Sequence, residues 1–222
     1  LTDAAYDRAH PTKCLRPIAS GRVSVSAALF TLGLLVALGI GMLMRVPGVV
    51  PVVVVYVVLN IGYTTWLKHV AILDIMLISS FYILRVLAGG EAAAVTVSPW
   101  ILLCTFFGAL VLITGKRYAE YAHAARRKVL ADYSRESLGV LLTASTTIAV
   151  ISYTIWSIIA SPAPYAAYSV FFVALALMRI LNRIFSSEAG AEYPETLVFK
   201  DRWVLAAFLG WALYMSIIFY AA

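Results

Sequence analysis

Residues 49–59 read VVPVVVVYVVL, apolar on every face of a helix and on both faces of a strand. A strand in a membrane barrel alternates apolar and polar residues over about ten positions, so this stretch excludes a barrel. It fits a transmembrane helix, which needs roughly 20 mostly apolar residues. It lies within a longer run, 47–67, and six others share its character: 23–44, 70–94, 98–114, 139–160, 165–182 and 203–221. Only 13% of the chain is charged and its mean hydropathy is +0.92, whereas a soluble chain carries about a quarter charged residues. The runs use up nearly all of the 222 residues. The expectation is an all-α, polytopic transmembrane bundle of seven helices, forming one membrane domain over 1–222 without a soluble one.

Lys and Arg concentrate in loops on the cytoplasmic side of a membrane. When sides alternate along the seven runs, fourteen of the seventeen basic residues share one face; Arg45 alone faces the other, and Arg85 and Arg179 fall inside helices. Loops 1–22, 115–138 and 183–202 are therefore assigned to the cytoplasm, in a multi-pass protein of the cell membrane. That basic face suits anionic headgroups and anionic substrates alike. Cys14 and Cys104 are too few for a disulfide framework or a zinc site. The chain has no initiating Met and opens inside a charged segment, and it is read as N-terminally truncated.

Asp3 and Asp7 stand one helical turn apart, where two carboxylates share a face and repel. Mg²⁺ relieves such a pair by joining one or two carboxylates to substrate phosphates and water. Lys13 and Arg16 follow within reach of the remaining phosphate oxygens, and Pro11 and Pro17 bracket the turn. A solvated juxtamembrane helix end is the competing reading. The segment GKRYAEYAHAARRKVLADYSRES, 115–137, forms a second cluster. Its run Arg126-Arg127-Lys128 reads as a headgroup anchor, while Lys116, Arg117, Tyr118 and Glu120 sit at the expected mouth of a cavity. The third cluster is YTTWLKHVAILD, 63–74, followed by Arg85. Ionisable residues in a membrane helix are costly and face a polar interior. Asp74 and Arg85 are almost three turns apart on one helix face, and both are expected at one interior site. Arg179 either joins them or snorkels to the surface. Asn60 and Tyr63, near the same end of the second helix, can supply hydrogen bonds.

The N-terminal residues DAAYDRAHPTKCLRPIASG resemble the tail of the first aspartate-rich motif, NDxxDxxxD, of the UbiA-type intramembrane prenyltransferase superfamily. Asp3 and Asp7 match its second and third aspartates. Tyr63 and Lys68 match that superfamily's Tyr–Lys element, leading to Asp74. Within the superfamily the pattern from His10 to Gly21, together with GKRYAE and YPETLVFKDR, is most similar to the decaprenyl-phosphate phosphoribosyltransferase branch. The resemblance spans essentially the whole chain. It implies nine helices in a full-length protein. It also implies transfer of phosphoribose from phosphoribosyl pyrophosphate (PRPP) to a polyprenyl phosphate, for arabinan precursors of the cell wall. Mg²⁺ on Asp3 and Asp7 is the implied cofactor, with Mn²⁺ able to replace it.

On this reading Asp3, Asp7, Lys13 and Arg16 are catalytic, and Lys68 helps them to neutralise the departing diphosphate. Substrate binding falls to Asn60, Tyr63, Asp74, Arg85, Lys116, Arg117, Tyr118 and Glu120. The membrane is the further partner expected, self-association is left open and nucleic acid is not expected. The loop matching the superfamily's second aspartate motif departs from it. It carries only Asp132, Glu120 and Glu136 among many Lys and Arg, as a site balancing two phosphorylated substrates requires. Two alternatives stand beside it. One is a prenyltransferase moving a polyprenyl group from its diphosphate to an aromatic or other acceptor. The other is a transporter with Asp74 and Arg85 along its path, which an inverted repeat would favour.

Overall fold

The structure is a computed structural model that describes residues 13–15, 17–121, 128–161, 163, 165–186 and 200–220. The chain divides into two compact units, Leu1–Val50 and Pro51–Ala222. All the regular elements among the described residues are helical, and seven helices are long and apolar enough to cross a membrane.

In the first unit, α1 (Val25–Leu43) starts at Ser24, whose Oγ accepts the Ala27 amide at 3.2 Å. That bond satisfies one of the donors left open in a first turn. No residue of α1 is buried. Its Leu, Val, Ile and Met side chains are largely exposed, and the helix satisfies its own backbone groups as a membrane span must.

The second unit holds the rest: α2 (Val50–Thr65), whose first residue closes the first unit, α3 (Leu73–Ala93), α4 (Pro99–Tyr121), α5 (Arg135–Ile155), α6 (Val170–Ser186) and α7 (Arg202–Tyr220). Helix α4 packs along α5 and α3, while α6 packs on α7 and α5. The core shared by α4, α5, α6 and α7 is Val111, Ala119, Leu142, Ile180, Ile184 and Val204. Helix α5 runs into one π-helical turn, Trp156–Ala160.

Two helices differ from their apolar runs for a reason that matters to function. The run 98–114 stops at the first charges, but α4 continues through Lys116 to Tyr121. Within that last stretch Arg117 is buried and paired inside the protein, while Lys116, Glu120 and Tyr121 are half-buried. Similarly α5 begins at Arg135, not 139. Ser134 Oγ accepts the Ser137 amide and Ser137 Oγ accepts the Ser134 amide, both at 3.0 Å. This is a reciprocal capping box, and Tyr133 just before it packs with Leu138, four residues into the helix, as a hydrophobic staple.

At the start of α7, Asp201 Oδ1 accepts the Trp203 amide at 2.9 Å, while its Oδ2 accepts Arg183 Nε at 2.7 Å and Arg179 Nε at 3.1 Å. One buried carboxylate thereby caps α7 and ties it to the end of α6. Burial by itself raises the Asp201 pKa, but the Arg183 bond, the two backbone amides and the Arg179 charge outweigh it and hold the group at about 2. Arg179 is therefore an inter-helix clamp on Asp201 and does not join Asp74.

Candidate functional site

A buried ionic network joins three elements of the second unit. Asp74 stands in the first turn of α3 and is 0% exposed. Its Oδ2 accepts Arg117 Nε at 2.9 Å, and Arg117 Nη1 also donates to Glu120 Oε2 at 2.8 Å. Arg117 and Glu120 are three apart on α4, so their side chains meet on the helix surface. Arg117 itself is 2% exposed. Uncompensated, one such buried ion costs several kcal/mol of desolvation. The protein compensates it by giving each oxygen of Asp74 a donor.

The donor to Asp74 Oδ1 is the hydroxyl of Tyr133, at 2.8 Å. That hydroxyl in turn accepts the Ile72 amide at 2.6 Å. Burial pushes the Tyr133 phenol well above its ordinary range and the neighbouring Asp74 charge adds to this, against the opposing influence of the Ile72 amide and Arg117. It stays protonated, as a donor must. Ile72 carries φ 68° and ψ −49°, a conformation that costs a β-branched residue about 1–3 kcal/mol. The bond from its amide to Tyr133 helps to hold this turn, which directs the chain from the short 3₁₀ turn Leu67–His69 into α3.

Beside the network lies a pocket of ≈ 350 Å³ lined by Tyr63, Ile78, Tyr82, Leu112, Ile113, Lys116 and Arg117. Three expected site residues, Tyr63, Lys116 and Arg117, thus meet here from α2 and α4, and Asp74 and Glu120 stand behind Arg117. Tyr63 is steadied by Phe81, with the rings edge to face at 6.1 Å. Lys116 brings a positive charge to the pocket wall. Arg117 is divided between two carboxylates, so it offers the pocket hydrogen bonds more than net charge.

The remaining residues lie elsewhere. Arg85 does not join Asp74: it is exposed, donates to Tyr56 Oη at 3.1 Å and lies over the rings of Tyr56 and Tyr82 at 5.6 and 5.2 Å. Eleven residues bring the two charges to one helix face but also place them about 16 Å apart along its axis. Spacing around the helix therefore does not bring Arg85 to the buried Asp74. Tyr118 Oη accepts Arg135 Nε at 3.1 Å, and its ring lies under that guanidinium and against Phe185. It helps hold α5 and α6 to α4 and is not among the pocket residues. Asn60 and Lys68 are half-buried and also outside the pocket lining. Asp3, Asp7, Arg16 and the side chain of Lys13 lie outside the described residues. Among the described residues no three His, Cys, Asp or Glu side chains gather where they could hold a metal ion. Tyr133 was missed as a site residue, although the pattern Tyr-Ser-x-x-Ser-Leu at 133–138 carries the staple and box that place it.

A polytopic helical membrane protein with a buried carboxylate–guanidinium pair behind a basic, tyrosine-lined pocket is the class these features define. The model of the UbiA prenyltransferase family matches residues 1–195, and the chain belongs to that family. It is a multi-pass membrane transferase. It is 35% identical over 222 residues to the decaprenyl-phosphate phosphoribosyltransferase of Corynebacterium glutamicum, an alignment covering 94% of this chain and 66% of that protein. The proteins of the same name from Mycolicibacterium smegmatis and Mycobacterium tuberculosis H37Rv are also 35% identical, over 94% and 95% of this chain and 70% and 72% of theirs. The chain thus spans about two thirds of the length of these relatives.

Proposed function

We propose that this protein transfers 5-phosphoribose from PRPP to a polyprenyl phosphate, releasing pyrophosphate. The observation that carries the reading is the pocket wall, where Lys116 stands beside an arginine whose position is fixed by a fully buried aspartate. The names of the similar proteins and the basic character of 115–138 support it. A phosphate in that pocket meets the Lys116 ammonium, the Arg117 guanidinium and the Tyr63 hydroxyl. The apolar residues Ile78, Leu112 and Ile113 limit water around it, which strengthens each charge-assisted bond.

In the reaction a phosphate oxygen of the lipid bonds to the anomeric carbon of PRPP while the bond from that carbon to pyrophosphate breaks. The departing pyrophosphate keeps the electron pair. The lipid phosphate is already ionised at pH 7, so no strong general base is needed. Positive charge builds on the ribose ring, and negative charge on the leaving diphosphate. We assign that diphosphate, on the motif alone, to Asp3 and Asp7 with Mg²⁺ and to Lys13, Arg16 and Lys68. Bound there, Mg²⁺ supplies charge that offsets the diphosphate, and Mn²⁺ suits the same oxygen ligands. The active site is assigned to the cytoplasmic face and the product to arabinan synthesis for the cell wall.

The nearest competing activity is transfer of a polyprenyl group from its diphosphate to an aromatic acceptor. A donor competition separates the two. Membranes containing the full-length protein, given labelled PRPP, labelled polyprenyl diphosphate, a polyprenyl phosphate and an aromatic acceptor together, should pass label from PRPP to the polyprenyl phosphate and none from the prenyl diphosphate to the aromatic acceptor. Label moving only from the prenyl diphosphate refutes the proposal.

A further inference from the structure

Tyr133 lies outside the pocket, in the segment linking α4 to α5, yet its hydroxyl bonds both to the strained turn at Ile72 and to Asp74. We propose that Tyr133 is a positioning residue: through Ile72 and Asp74 it fixes the direction of the Arg117 guanidinium at the pocket wall. Three observations combine in this inference. Asp74 receives its two donors on separate oxygens, so Tyr133 sets the carboxylate's rotation and leaves Oδ2 aimed at Arg117 Nε. The turn before α3 adopts a positive φ at a β-branched residue, a conformation that needs an external hold. The ring is itself anchored, because Tyr133 packs with Val129, Leu130 and Leu138, with Ala71 and Tyr121 against the same cluster. The segment 128–133 thus reaches the pocket without touching it, and its docking and the direction of Arg117 are one arrangement.

This inference rests on the phosphate-binding reading of the pocket, and the test keeps the two apart. Full-length wild-type protein and Tyr133→Phe are compared in three measurements: hydrogen exchange across 70–76, calorimetric binding of PRPP and of inorganic pyrophosphate, and steady-state kinetics. The expected result is faster exchange at 72–74 and about a tenfold rise in KM for one phosphate substrate, the effect of misaligning one charge-assisted hydrogen bond. The turnover number should stay within about twofold. Ile72→Gly, which removes the penalty of the positive φ, should shrink the effect of Tyr133→Phe when the two are combined. Faster exchange with unchanged KM makes the hydroxyl purely structural and overturns the proposal. Unchanged exchange overturns it as well, because the turn then does not depend on Tyr133. A wild-type protein that binds neither PRPP nor pyrophosphate refutes the phosphate reading itself, and this inference with it. If Tyr133→Phe does not fold, the Ile72→Gly/Tyr133→Phe double variant is compared with Ile72→Gly alone: KM should still rise more than twofold through the lost bond to Asp74, and equal KM values overturn the link from Tyr133 to the pocket.

Discussion

Replacing Asp74 by Ala leaves Arg117 buried with one carboxylate partner instead of two, and leaves the Tyr133 hydroxyl without its acceptor. Asp74 is 0% exposed and Arg117 2%, so solvent cannot take its place. Breaking a buried pair by removing one partner costs about 3–5 kcal/mol. Glu120 makes the other bond to Arg117, but its side chain is 23% exposed. Loss of that partly solvated pair costs roughly 1 kcal/mol or less. At about 2–4 °C per kcal/mol for a chain of this size, Asp74→Ala should lower Tm by roughly 6–20 °C and Glu120→Ala by about 4 °C at most. Thermal unfolding in detergent, followed by size exclusion of the heated protein, measures both. Removing the whole pair with Asp74→Leu and Arg117→Met together should recover much of the loss, since no unpaired guanidinium remains. Equal shifts for Asp74→Ala and Glu120→Ala, or a double variant worse than Asp74→Ala, would refute the view that desolvation makes this pair decisive.

Lys116→Ala should raise KM for one phosphate substrate about ten- to a hundredfold, with Tm little changed, while Lys128→Ala in the basic surface run should do little. Asp3→Asn or Asp7→Asn should abolish turnover without unfolding the protein, and chelator should do the same until Mg²⁺ or Mn²⁺ is restored; full activity in excess EDTA rejects the metal assignment. The Asp201 carboxyl is depressed from 3.8 to about 2 in the folded protein, so its contribution is complete above about pH 4 and fades as pH falls toward 2. Below pH 4, Tm should therefore fall more steeply in the wild type than in Asp201→Asn. Cysteine labelling at positions 10, 125 and 190 should report the cytoplasmic side, and at 162 the opposite side.

The seven helices were legible because a bilayer demands long, uniformly apolar runs, and nothing else in 222 residues imitates them. Their ends were less legible. Hydropathy marks where lipid contact stops, whereas α4 stops only after its buried Arg117 has met Asp74 and Glu120. The same limit explains Arg85. Periodicity gives the direction of a side chain around a helix, but a site also needs proximity along the axis. Asp74 signalled an interior site because a lone carboxylate in an apolar run must find a cation. Which cation could not be read, since Arg117 lies 43 residues away on another helix. Tyr133 shows the opposite case. Its hydrogen bonds are long-range, but the cap that fixes its place is local and was there to read.

Product analysis with an isotope shows whether a lipid phosphate attacks the anomeric carbon of PRPP. The full-length protein is incubated with PRPP, Mg²⁺ and a polyprenyl phosphate whose phosphate oxygens carry ¹⁸O, and the lipids and the released phosphate species are weighed by mass spectrometry. The expected products are a lipid heavier by one phosphoribosyl group that retains all the ¹⁸O, together with unlabelled pyrophosphate. A lipid phosphate left unchanged, while the same preparation moves a polyprenyl group from its diphosphate to an aromatic acceptor, would contradict that attack.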